Sequence, residues 1–263
     1  MPPELLALRM ALVAMFVIVV ALVAERLGTF LGAMVASLPL YTGPVYLMLA
    51  LEHDAGYLTA ATVNSVAICG ANPVYVLIYA LLARSRGAGL SILGALIAWG
   101  ACSAVVLARD WTLPEALLFV APIYGVSLWL AQDFTRGIAI RRAARQWTDL
   151  AQRAIFVALL TGVVVISSRH VPASVTGILS VMPILTTSLV LVMHPRVGGP
   201  PTAALLAHSL GGLVGMVVAF AVVHLTLLPI GVWPSLGLGL AVTVAWNVML
   251  IGLKSLGGRL AQR

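Results

Sequence analysis

The chain has 263 residues, 62% of them hydrophobic and only 9% charged, with a formal net charge of +7 and a mean hydropathy of +1.10. A soluble domain is about half apolar and about a quarter charged, so this chain lacks the polar residues to face water and is an integral membrane protein. Soluble enzymes, nucleic-acid binders and secreted disulfide scaffolds are excluded, and the pI near 10.1 reflects where the arginines lie relative to the bilayer rather than an acidic partner.

Nine apolar stretches, each near the ~20 residues that cross a hydrocarbon core, are predicted at 5–24, 28–50, 58–82, 88–108, 113–132, 152–168, 173–193, 202–227 and 233–253. The expected fold is an all-α polytopic membrane protein of about nine transmembrane helices. The first stretch ends in Ala21-Leu22-Val23-Ala24, which looks like a signal-peptide cleavage site. The preceding Met1–Met10 segment carries one acid and one base rather than a basic head, so this helix is expected to be mature structure. With the loop after the fifth stretch on the cytoplasmic side, Arg26, Arg84, Arg86, Arg136, Arg141, Arg142, Arg145, Arg153, Arg196, Lys254, Arg259 and Arg263 lie inside. Only Arg9, Arg109 and Arg169 lie outside. A split of 12 to 3 sets the N-terminus outside and the C-terminus inside, in a bacterial-type inner membrane. Cys69 and Cys102 fall within apolar stretches as small hydrophobes, with no spacing that suggests a disulfide framework or a metal site.

The second stretch contains Leu31-Gly-Ala-Met-Val-Ala-Ser-Leu-Pro-Leu-Tyr-Thr-Gly-Pro44, and the seventh contains Val175-Thr-Gly-Ile-Leu-Ser-Val-Met-Pro-Ile-Leu-Thr-Thr-Ser188. The offset is 144 residues (183 − 39): Pro39 meets Pro183, Thr42 meets Thr186, and Asn64-Ser65 meets His208-Ser209 without a gap. Stretches one to four therefore match six to nine, with the fifth as an unpaired linker. An odd number of crossings inverts one half against the other, the pattern of many transporters and channels. Three units are expected: a first four-helix repeat at 1–110, a linker helix with a basic loop at 111–150, and an inverted second repeat at 151–263.

The first-half motif, followed by Glu52-His-Asp54, Asn64-Ser65 and Asn72-Pro73, resembles the small four-helix bacterial inner-membrane proteins called GlpM-like. The resemblance implies that two such units are fused here through a helix, and it implies a fold unit and an antiparallel pairing rather than a substrate. The second half departs from the motif: Thr187-Ser188 stands for Gly43-Pro44, and His208 for Asn64.

Proline removes a backbone donor and clashes with the preceding turn. Pro39 and Pro44 around Tyr41-Thr42-Gly43, and Pro183 before Thr186-Thr187-Ser188, are therefore expected to break helices 2 and 7. Broken helices at matching depth in two inverted halves point to a midplane site. The candidate substrate-binding residues are Tyr41, Thr42, Gly43, Asn64, Ser65, Thr186, Thr187, Ser188, His208 and Ser209. His208 is the candidate proton carrier, since its charge changes near neutral pH; hydrogen-bonded polar glue is the alternative for it and for Asn64. Gly211-Gly212 and Gly215 are read as a close helix approach. No Asp or Glu falls in the middle of a stretch, which argues against a carboxylate cation site, and neither a metal nor a cofactor is expected. The loop 134–153 interleaves Arg136, Arg141, Arg142 and Arg145 with apolar residues, as a helix lying on anionic membrane lipids would. Metalloprotease, phosphate-loop and paired-acid motifs are absent, so an enzyme is not expected. The expected function is secondary transport of a small anionic or zwitterionic solute. A lipid-linked translocase or scramblase and a non-transport scaffold are the alternatives, and a homo-oligomer is left open.

Overall fold

The computed structural model describes Glu4, Ala11, Leu12, Met15 and Val19, residues 42–136, and residues 147–260. The described residues are helical, with no sheet among them. The segments are α1 (Thr42–Ala50), α2 (Ala55–Ile68), α3 (Ala71–Leu82), α4 (Ala88–Leu107), α5 (Leu113–Thr135), α6 (Trp147–Ser167), α7 (Ala173–Leu179), α8 (Ile184–Val197), α9 (Gly199–Ile230) and α10 (Val232–Leu260). Pairs α2–α3 and α7–α8 are each one interrupted rod, which leaves eight helices. Six of these are long and apolar enough to cross a membrane.

Local chemistry sets the ends. Asp54 accepts a 2.8 Å bond from the amide of Tyr57 to start α2. Glu115 accepts from the amide and hydroxyl of Thr112 at 3.0 and 2.8 Å to start α5, and Arg109 closes on the same carboxylate at 2.7 Å. Gly198 and Gly231 carry φ of +89° and +86° at the two sharp reversals that bound α9, a backbone region glycine enters without a Cβ penalty.

The rod α2–α3 is the buried axis of the molecule, packed by α1, α4, α5, α7 and α9. It is antiparallel to α9: Thr59 meets His224 near one end, and Ala83 meets Gly199 near the other. It is parallel to the rod α7–α8, because Tyr57, Ser65, Tyr75 and Tyr79 meet Thr176, Gly177, Thr187 and His194 in that order. Related packings recur across the two halves of the chain: α3 lies on α4 as α9 lies on α10, and α1 lies on α10 as α8 lies on α4. The loop at 51–54 meets the loop at 168–172 at one end of the bundle. At the opposite end Arg84 lies 4.4 Å over the Phe134 ring. The linker helix α5 packs against α2, α3 and α9.

Gly43 and Pro44 lie in α1, which is described from Thr42 onward; Pro39 and Tyr41, and with them the expected break of helix 2, lie outside the described residues. One detail differs from the sequence-based expectation. The third predicted span is itself broken at Cys69-Gly70, between α2 and α3. Its cause is Pro73, which has no N–H for the carbonyl four residues back, that of Cys69. The Asn72 amide and the Tyr124 hydroxyl of α5 donate to that oxygen instead, each at 3.3 Å. The equivalent residue in the second half is Val217 (73 + 144), and α9 runs unbroken for 32 residues. Arg136 lies 3.7 Å from Asp133 and donates to Gln132 at 3.2 Å; Arg141, Arg142 and Arg145 lie outside the described residues.

Between α9 and α10 the expected close approach is present. A Cβ on Gly215 would stand 2.5 Å from Trp246 Cδ1, and Trp246 Nε1 donates to the Gly211 carbonyl at 2.9 Å.

Candidate functional site: a hydroxyl seam across a broken helix

Within a bilayer a freed backbone carbonyl must find a donor inside the protein. The rod α7–α8 stops at Leu179 and resumes at Ile184, and Val181 N turns to the Ile178 carbonyl at 3.1 Å. In an unbroken helix it would bond the carbonyl of Gly177. The first half of the chain supplies the replacement: Ser65 Oγ donates to Gly177 O at 2.8 Å. Since that proton is committed, the Tyr46 hydroxyl, 2.7 Å away, donates to Ser65 Oγ. Gly177 permits this approach because any Cβ there would run into the Ala61 carbonyl and stand 3.1 Å from Asn64 Cβ.

The same logic repeats along the rods. Thr187 Oγ1 donates to the Pro183 carbonyl at 2.7 Å and receives the Tyr75 hydroxyl at 2.9 Å. Tyr79 and His194 Nδ1 are 2.7 Å apart. Tyr57 donates to the Ser168 carbonyl at 3.0 Å, which leaves its oxygen to accept from Thr176 Oγ1 at 2.7 Å. Ser168 Oγ gives its proton to Val165 O at 2.8 Å, so His53 Nε2 donates to Ser168 Oγ at 2.7 Å. His53 stacks on Tyr57 with ring centroids 3.8 Å apart, and Arg169 pairs with Glu52 beside them. Desolvation pushes the His53 ring below its usual value; the Glu52 and Asp54 carboxylates oppose that shift and Arg169 adds to it.

The predicted residues fall into three groups. Ser65, Thr187 and Gly177-adjacent Asn64 lie at the seam, although Asn64 Nδ2 donates within its own helix to Ala60 O at 3.0 Å. Thr186 and Ser188 lie in the first two turns of α8, and Thr42 is buried in the first turn of α1. His208 and Ser209, by contrast, lie on an exposed side of α9, and Ser209 Oγ donates to Leu206 O at 2.7 Å. The expected burial of His208 is therefore corrected: α9 turns this pair to the outer side of the bundle. No group of three or more His, Cys, Asp or Glu able to hold a metal occurs among the described residues.

Sequence reading missed the tyrosines. Tyr57 and Tyr75 are 18 residues apart, five helical turns, and Tyr79 follows one turn later, so a stripe of hydroxyls was present in the pattern. His53 carries no such pattern, standing in the sequence only between Glu52 and Asp54. If the seam is one coupled unit, Ser65→Ala and Tyr46→Phe should each destabilise the detergent-purified protein. Each leaves a buried polar group without its partner, at a cost of about 1–3 kcal/mol. The double variant should cost clearly less than the sum of the two in thermal melts; strict additivity would separate Tyr46 from the seam.

Fold and site together define a multi-pass, all-helical membrane protein whose interior is organised around two interrupted rods. Comparison with protein-family models, with characterised proteins and with solved structures finds no match to this chain.

Proposed function

We propose that this protein is a secondary transporter of a small anionic or zwitterionic solute, working by alternating access between two inverted halves. The observation that carries the reading is the break between α7 and α8. It falls inside the seam, and α8 opens there on Pro183 with no side-chain cap. A helix start inside a membrane protein presents amide donors and positive partial charge to a ligand. The antiparallel pairing of α2–α3 with α9, which occupy equivalent places at the 144-residue offset, supports inversion of the halves. The first-half likeness to GlpM-like proteins supports an origin by duplication and fusion. The lopsided arginine count supports a C-terminus on the cytoplasmic side of a bacterial-type inner membrane. The site comprises Ser65, Thr186, Thr187 and Ser188, with Thr42 and Asn64 as further candidates. His208, the candidate proton carrier, lies on the outer side of α9 and away from this seam.

The test is a thermal-shift screen of the purified protein against organic acids, amino acids and polyprenyl phosphates, with each stabilising compound then offered to reconstituted vesicles. An organic acid or an amino acid should both raise the melting temperature and accumulate. Stabilisation by polyprenyl phosphates alone would replace this reading with a lipid-linked translocase.

A further inference from the structure

Ser188 is the anomaly of the interior. Its side chain is 1% exposed, and its Oγ is the one buried side-chain polar atom without a hydrogen-bond partner among the described residues. A serine inside a helix ordinarily returns its proton to the carbonyl four residues back. Thr161, Ser180, Thr187, Thr202 and Thr243 all do so here, at 2.7–2.9 Å. An unsatisfied buried hydroxyl costs about 1–3 kcal/mol, so a partner is missing.

Its position says what that partner is. Ser188 lies four residues after Ile184, the first residue of the 14-residue α8, on the same face and one turn in. Helical Cα–Cβ bonds tilt toward the N-terminus, so the Ser188 Cβ leans toward the first turn. That turn is itself a donor set. The first bond back into α8 runs from Thr187 N to Pro183 O, so the amides of Leu185 and Thr186 precede it, and no side chain caps them. The ligand is therefore an acceptor. Residues 173–193 contain no charged side chain and no histidine, so the donors are all neutral. A phosphate dianion is usually met by arginine or lysine; a single carboxylate is matched by amides and a hydroxyl at a helix start.

We infer that the first turn of α8 together with Ser188 is a binding subsite for one carboxylate group. This deepens the transport reading and rests on it for the role, though not for the binding.

The probes are propionate, alanine, propionamide and inorganic phosphate, applied to the full-length purified protein in thermal melts. Propionate or alanine should stabilise the wild type in a saturable way, and propionamide and phosphate should not. Stabilisation by alanine without propionate would specify an amino acid as the source of the carboxylate. Ser188→Ala should melt no lower than wild type without ligand, since it removes an unpaired hydroxyl, yet need at least about tenfold more carboxylate for the same shift. Equal response of Ser188→Ala, or phosphate stabilising the wild type as well as the carboxylates do, would overturn the subsite, and so would a wild type that responds to neither carboxylate. Carboxylate binding without uptake into vesicles would instead sink the transport reading and leave the subsite standing.

Discussion

Gly177→Val should cost the protein most of its ability to keep the two halves packed. The Cβ that valine introduces points into the main-chain carbonyl of Ala61, and Asn64 Cβ is only 3.1 Å from it. Neither neighbour is the flexible end of a side chain, so α2 and α7 must separate. Separation stretches the Ser65–Gly177 bond and with it the donor that satisfies the carbonyl freed by the helix break. Overpacking alone costs about 1–3 kcal/mol, and occasionally more, where relaxation is limited; the exposed carbonyl adds about 1–3 kcal/mol. The expected outcome is a protein that still inserts, because its apolar helices are unchanged, but elutes broadly in detergent and melts far below wild type. Gly125→Val is the control, since a Cβ there meets nothing within 4 Å. A Gly177→Val protein with a wild-type melt would show that the rods are not held by this contact.

The contrast between Gly177 and the prolines shows how much of the fold could be read from the chain. The break before α8 was legible because Pro183 acts locally: it removes one N–H and one turn follows. Pro73 acts in the same way, but the break it makes at Cys69-Gly70 falls inside a stretch whose hydropathy runs on without interruption. Facing is not local at all. Asn64 and His208 match at the 144-residue offset of the sequence, yet Asn64 lies on a rod enclosed by five neighbours and His208 lies on an outer side of α9. The unpaired linker α5 packs on α2, α3 and α9, so sequence equivalence does not carry over to equivalent surroundings. The tyrosines were hidden for a different reason. Hydropathy treats their rings as apolar filling, whereas a hydroxyl in the interior needs a partner, and that need is what places Tyr46, Tyr57, Tyr75 and Tyr79 on the seam.

At the 51–54 end the halves are tied by polar groups rather than by packing alone, and loosening that tie should open the seam to water. The Glu52 side chain is only 12% exposed and Arg169 34%, so this pair is partly desolvated, and removing or reversing one partner costs more than it would in a surface ion pair. Cys69 reports on opening without any engineered label. It is fully buried and lies four residues after Ser65, on the face that meets Gly177. With Cys102 replaced by alanine, a small charged methanethiosulfonate should label Cys69 very slowly in vesicles. Glu52→Arg sets two guanidinium groups against each other and should raise the labelling rate at least about tenfold, which corresponds to about 1.4 kcal/mol in the opening equilibrium. Adding Arg169→Glu restores an ion pair with its signs exchanged and should bring the rate back toward wild type. Acid should act in the same direction as Glu52→Arg. Burial depresses the His53 ring in the closed state, so its contribution to closure is complete above the ordinary histidine value of about 6.5 and is lost as the pH falls below it. Because the reagent attacks the thiolate, rates are taken relative to a free thiol at the same pH; on that scale labelling should be faster at pH 5.5 than at pH 7.5, and His53→Gln should flatten the difference. Unchanged labelling in Glu52→Arg, or no recovery in the charge-exchanged pair, would mean that the 51–54 end is fixed by helix packing and that the seam opens elsewhere.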